Sequence, residues 1–340
     1  MAALALIMAG CSNNEDDVKI DNGEVANAVP IQISQRVAGV ETKAAVTLGS
    51  KMKAVILMVD EGENTGSPDF SSFNAKTENT LTDDGKGGKQ LESDENRAHV
   101  ANTEFQASLT AGDIKLNPTL YYPLTDSKVT WLLGVSPQGT VDATKVTFSV
   151  ADGSQDVMYA AKQSAGASNA NKTTPELEFK HKTTQLLFVA QLSDDNLSNT
   201  EWKDKSVSVQ SIIIQKAQVP TAITISNGDL ECKEMNITVA GCKEALKKTP
   251  CAKSVPVMIQ EAAKVVVDIV LTVGSETITY SNLEVKAENG TDNLATSAGK
   301  SHLITFTITA PVTASDGTMI ETKAKIVDWE AGDPGKVEIK

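Results

Sequence analysis

At 340 residues the chain is long enough for two β-type domains rather than one. Hydrophobic residues make up 40%, enough for a core, but aromatics are only 4%, so that core must rest on Val, Ile and Leu. The formal net charge of −13 argues against nucleic acid as a partner, because phosphate contacts need clustered Lys and Arg, and fits an extracytoplasmic surface.

Met1 to Gly10 is apolar but too short to span a bilayer. It reads as the apolar core of a secretory signal lacking its basic n-region, which places the expected start of the signal upstream. Ala9-Gly10-Cys11 has the form of a lipobox, with Met8 where Leu is commoner. Cys11 is therefore the expected lipidation site, and the several acyl chains such a cysteine carries, palmitate among them, suffice for stable anchoring. Ser12 to Asp17 (S-N-N-E-D-D) reads as the acidic signal that sends some lipoproteins to the outer face of the outer membrane. Residues 11–28 are polar and unpatterned, a tether.

Ile31 and Ile33 alternate with Gln32 and Ser34 as a short strand does, within a 29–43 segment that also carries Arg36 and Lys43. Val55 to Val59 is a continuous apolar run, fitting a strand covered on both faces or on one face plus a domain partner. Asp60 to Arg97 is rich in Asp, Glu, Asn, Gly and Ser and reads as a long surface excursion. Strand patterns return at Val129 to Val135, at Val146, Phe148 and Val150, at Leu177 and Phe179, and from Gln185 to Leu192.

The second half repeats the style, with alternation through Val207, Val209, Ile212 and Ile214, Ile223 and Ile225, and Met235, Ile237 and Val239. Val265, Val267, Ile269, Leu271 and Val273 form a long alternating strand, followed by Ile278 and Tyr280. Ile304, Phe306 and Ile308 precede a last run of Ile320, Thr322, Ala324 and Ile326 that leads into Asp328-Trp329. Only Lys243 to Lys248 looks helical. Many short strands with turns at regular spacing predict an all-β chain of two tandem β-sandwiches, residues 44–178 and 179–340, with the boundary loop near Thr173 to His181.

Sites for chemistry are few. Cys232, Cys242 and Cys251 are three, so at most one disulfide forms within the chain and one thiol is left over; a disulfide in an oxidising compartment is the leading reading, and the spacing leaves the pair open and matches no zinc motif. His99, His181 and His302 lie far apart with no Ser-His-Asp order, so no catalytic residue is assigned. His181 ends a strand and reads as a packed or capping residue. Gly299-Lys300-Ser301 lacks the first glycine of a phosphate loop, because Leu294 stands there. Asp83-Asp84-Gly85 through Glu92 fails the EF-hand pattern. No metal or cofactor is expected. Trp131 and Trp329 read as core, whereas Trp202, in E-W-K-D, has an exposed context.

Taken together, several segments resemble the fimbrillin family of fimbrial lipoprotein precursors of Bacteroides-type Gram-negative anaerobes. The likeness rests on the lipobox at Cys11, the basic site before K-A-V-I-L-M-V, T-L-Y-Y-P at Thr119 to Pro123 and D-V-M-Y-A at Asp156 to Ala160. It continues with L-E-F-K-H at Leu177 to His181, then L-I-T-F-T-I-T and I-V-D-W-E-A-G near the end. The resemblance implies transthyretin-like sandwiches and export as an outer-membrane lipoprotein at the cell surface. It implies cleavage by a trypsin-like protease at Lys43, before Ala44, where the family carries Arg; Arg36 is a second basic site. Removal of strand 29–43 would then open a groove for a strand from another fimbrial subunit, in a homo- or hetero-polymer that serves adhesion, biofilm formation and colonisation. The expected donor is 320–340, with Ile320, Thr322, Ala324, Ile326 and Trp329. The alternative is a surface lipoprotein that binds glycan or host protein and never polymerises.

Overall fold

The computed structural model describes residues 28–38, 51–60, 68, 70, 73, 81–83, 89–91, 97–124, 127–167, 172–313 and 315–327. Its first strands are β1 (Ile33–Val37), β2 (Lys51–Asp60), β3 (Leu81–Asp83), β4 (Lys89–Leu91), β5 (Ala98–Gln106), β6 (Gly112–Ile114) and β7 (Thr130–Ser136). The middle of the chain gives β8 (Thr140–Val141), β9 (Lys145–Thr147), β10 (Met158–Gly166), β11 (Glu176–His181), β12 (Thr184–Leu192) and β13 (Val207–Thr224). The remainder gives β14 (Leu230–Val239), β15 (Val257–Ile259), β16 (Val266–Val273), β17 (Glu276–Glu284), β18 (Ser301–Thr309) and β19 (Met319–Val327). No helix occurs among the described residues, in line with the all-β expectation.

A seven-stranded sheet runs in the order β5-β2-β7-β10-β11-β1-β6. Its most deeply buried strand is β2, next to the edge strand β5, with residues from Ala54 to Met58 all buried to 1% exposure or less. Side chains alternate across a strand, so such a run needs cover on both faces. Ala54, Ile56 and Met58 join one apolar cluster with β1, Phe105, Leu132 and Phe179. Val55, Leu57 and Val59 join another with Phe73, Val146, Phe148, Ile223 and Ile225.

The sheet curls on itself over the first cluster. Its edge strand β5 bridges the chain just beyond β6, with Asn102 N donating to Asn117 O at 2.7 Å and Asn117 N to Asn102 O at 2.8 Å. The hydroxyl of Thr103 adds a bond to Lys115 O at 2.9 Å. Inside, the rings of Phe105 and Phe179 lie 5.4 Å apart. Gly134 makes room for Phe179, because a Cβ there would lie 2.6 Å from the ring.

The second half is a pair of facing sheets. A four-stranded sheet, β15-β12-β18-β19, packs against a six-stranded sheet of β17-β16-β13-β9-β8, with β14 also on β13. β12 and β18 run parallel over eight residue pairs, Gln185 with Ser301 through Leu192 with Ile308. Phe188 and Phe306 stack at 6.1 Å between the sheets. Along β16, Val267, Ile269, Leu271 and Val273 are fully buried while Val266, Asp268, Val270 and Thr272 are half-buried, the period-2 pattern of a one-sided strand.

Three features differ from the sequence reading. Lys243 to Lys248 is not helical: Leu246 is buried, and its backbone N–H donates to Val207 O at 2.7 Å, which holds the segment against β13. Trp202 is 3% exposed and belongs to the core of the second half. Residues 179–181 continue β11 within the seven-stranded sheet, and the chain crosses to β12 at Lys182-Thr183.

Candidate functional site: the seat of the first strand

The segment around β1 is short, yet it is bound along its whole length. It lies between β11, to which it runs parallel (Ser34 with Glu176 through Val37 with Phe179), and β6, to which it runs antiparallel (Ile33 with Ile114, Gln35 with Gly112). Before the strand proper, Ile31 N donates to Leu120 O at 2.9 Å, and Tyr122 N donates to Val29 O at 3.0 Å. Farther on, Ser34 N bonds Pro175 O at 3.0 Å, Val37 N bonds Ser108 O at 2.8 Å and Ala38 N bonds Phe179 O at 2.8 Å.

The inward side chains are Ile31, Ile33, Gln35 and Val37, with exposures of 5%, 1%, 2% and 1%. They face the apolar interior formed by β2, β5, β7, β10 and β11. Burying a Val or Ile is worth about 1.5–3 kcal/mol, so three of them contribute roughly 4–9 kcal/mol before the cost of ordering the segment. Outward, Arg36 pairs with Glu176 and, at 2.8 Å, with Glu178. With 38% of the Arg36 side chain exposed, that contact adds at most about 1 kcal/mol.

The far wall of the seat is fixed by a buried ion pair. Arg97 Nη1 lies 3.3 Å from Asp60 Oδ2, with the two side chains 1% and 2% exposed. Thr130 donates its hydroxyl to Asp60 Oδ1 at 2.6 Å. The Arg97 guanidinium also bonds the carbonyl of Tyr121, whose neighbours Leu120 and Tyr122 hold the segment that enters β1.

The other residues singled out in the sequence fall elsewhere. Cys11, Lys43, Ala44 and Trp329 lie outside the described residues. Ile320, Thr322, Ala324 and Ile326 are all on β19, which pairs with β18 from Met319 through Val327. Thr322 and Ala324 are 5% and 3% exposed there and Ile320 packs against the second-half core, so these three already serve the chain's own fold, whereas Ile326 is 50% exposed.

All three cysteines in the second half are free thiols. Cys242 and Cys251 both reach β12: Cys242 Sγ donates to Phe188 O at 3.0 Å and Ala190 N donates to Cys251 Sγ at 3.2 Å. Burial, then the contact with Cys251, pushes the Cys242 thiol upward, and burial alone raises Cys232, on β14, to about 11. Such thiols stay protonated and unreactive near neutrality.

His181 Nδ1 lies 2.7 Å from Asp156 Oδ2, and the Thr183 hydroxyl donates to Asp156 Oδ1 at 3.0 Å. Both contacts tie the β11–β12 crossing to the loop before β10. The sequence reading missed Gln35 and the Asp60–Arg97 pair. A polar residue inside a strand's apolar alternation was the available signal for the first. For the second, the polar excursion begins at one member and ends at the other.

Comparison with known proteins agrees with the resemblance. The fimbrillin-like family is matched over residues 64–329. No curated protein sequence matches. Among solved structures, a candidate cell adhesion protein of Bacteroides uniformis is 18% identical, covering 88% of this chain and 99% of its own, at a TM-score of 0.47. The tip fimbrial protein Mfa3 of Porphyromonas gingivalis is 10% identical over 89% of this chain and 100% of its own, at 0.39. The fimbrial anchor protein Mfa2 of the same organism is 9% identical over 89% and 99%, at 0.40. With its family match extending over most of its length, the chain belongs to the fimbrillin-like family.

Proposed function

We propose that the protein is a structural subunit of a cell-surface fimbrium, made of two transthyretin-like β-units in tandem. It is exported as an outer-membrane lipoprotein through Cys11 and polymerised by strand exchange after residues up to 43 are removed. The observation that carries this reading is the seating of β1 between β11 and β6. Withdrawing it leaves two rows of unpaired backbone groups and an apolar trough lined by Leu177, Phe179 and Ala107. An open edge of that kind is a template for another strand, and a head-to-tail contact that does not close on itself builds a filament.

Lys43 is favoured over Arg36 as the cleavage position. Arg36 sits inside β1 with Gln35 and Val37 buried on either side and is paired with Glu178 of β11, so a protease cannot take its peptide bond while the strand is seated. Lys43 lies beyond the end of β1. The donor segment is proposed to lie within 328–340, including Trp329, because β19 is already committed to its own sheet.

The test is N-terminal sequencing of protein shed from the cell surface, alongside gels run without heating. Mature chains that begin at Ala44 and form protease-dependent ladders are the expected result. Mature chains that begin at Cys11 and stay monomeric would sink it in favour of a surface lipoprotein that binds glycan or host protein.

A further inference from the structure

Gln35 is out of keeping with its surroundings. It occupies the third of the four inward positions of the 31–37 segment, where the other three are aliphatic, and it is 2% exposed. Its Nε2 donates to the carbonyl of Gln106 at 3.2 Å. Its Oε1 is buried with no hydrogen-bond partner among the described residues. The residue opposite on β6 is Gly112, which has no side chain to offer, and the neighbour on β11 is Leu177, which has no donor. An orphaned buried acceptor loses more than the single hydrogen bond made by the other end of the amide returns. An aliphatic side chain of equal volume would give up that bond, remove the orphan and bury more apolar surface.

We propose that Gln35 makes the first strand a weak occupant of its own seat, and that the strand which replaces it comes from a neighbouring subunit of different sequence, with aliphatic side chains at all four inward positions, which residues 328–340 of this chain do not offer. The outward face adds a second requirement. Glu176 and Glu178 stand on β11 beside Arg36, so the incoming strand carries Lys or Arg between its third and fourth inward residues. This inference rests on the strand-exchange reading. It explains how a seat lined for tight binding still releases its first tenant: the mismatch lies at one position in the middle of the strand, where a competitor without it gains at once.

The experiment compares the full-length protein with its Gln35→Met variant, chosen because the two side chains are close in volume. In the uncut state the variant melts a few degrees higher. An unchanged or lower melting temperature overturns the inference, whatever happens on cleavage. Both proteins are then cut at a protease site engineered into residues 39–50. Retention of the N-terminal fragment is followed by size exclusion and mass spectrometry, with excess synthetic V-P-I-Q-I-S-Q-R-V-A or V-P-I-Q-I-S-M-R-V-A as competitor. The wild-type fragment leaves about tenfold faster than the variant's, and the methionine peptide is captured about tenfold better than the glutamine peptide. Equal release, or preference for glutamine, overturns the inference while leaving strand exchange intact. A wild-type fragment that never leaves overturns strand exchange, and the melting comparison still decides what Gln35 does.

Discussion

His302, on β18, is 4% exposed, lies between Leu186 and Ile326 in the sheet, and has no partner for Nε2 among the described residues. Burial, helped by the charge of Lys300, lowers its pKa from 6.5 to about 4. The folded protein therefore keeps this ring neutral at pH values where the unfolded chain has already protonated it. Between about 6.5 and 4 the unfolded state binds more protons, so stability falls as the pH drops through that window and levels off below it. The full span is worth about 3 kcal/mol. Urea unfolding at pH 7.5 and 4.5 should show His302→Leu losing about 2 kcal/mol less than wild type between the two conditions. A variant as pH-sensitive as wild type would show that the ring does not titrate this way. Trp202 shows what single residues conceal in the sequence. Flanked by Glu201 and Lys203 it looked exposed, yet the turn from Leu197 to Lys205 folds back and carries the ring into the core, and a local pattern does not record where a turn points.

Single elements were the most legible level. The continuous apolar run of β2 and the period-2 alternation of β16 and β18 mark strands that the structure places there, and the alternation of Ile31 and Ile33 in the 29–43 segment meets a strand at Ile33–Val37. Pairing was not legible, because charges that meet in space need not be near in sequence. Asp60 ends β2, Arg97 precedes β5, and together they close the base of the long polar excursion while holding Tyr121 against the path of the first strand. A buried pair broken from one side leaves an uncompensated charge, at a cost of about 3–5 kcal/mol. Arg97→Met should therefore destabilise by that amount, whereas Arg97→Met combined with Asp60→Leu should recover a large part of it. Thermal or denaturant unfolding of the two variants decides the matter. A double variant no better than the single one would show that the pair holds the wall by its hydrogen bonds to Thr130 and Tyr121 and not by charge compensation.

At the scale of the whole molecule, the two halves are joined by strands and not merely by a linker. β13 is 18 residues long. Its first part pairs with β16 in the second half, a bulge between Ile214 and Ala217 turns it, and its last residues pair with β9, which comes from the first half. Ile223 and Ile225, at and just beyond its end, are fully buried in the same cluster as Val55, Leu57 and Val135 of the seven-stranded sheet. None of this was readable beforehand. The parallel pairing of β12 with β18 and the crossing of β8 and β9 into the second-half sheet depend on partners more than 70 residues away, and such contacts leave no local periodicity. The consequence is mechanical. A chain whose halves share a sheet passes any pull between them through the hydrogen bonds along β13, and it should unfold as one body. Calorimetry is expected to give a single transition with matching calorimetric and van't Hoff enthalpies. Ile223→Ala, which empties part of the shared cluster, should cost about 2–5 kcal/mol. If the coupling is real, that variant either melts in one step at lower temperature or splits into two transitions, with the half built on β12, β16 and β18 melting separately. Two transitions already present in the wild-type protein would mean that the shared strand does not bind the halves into one unit.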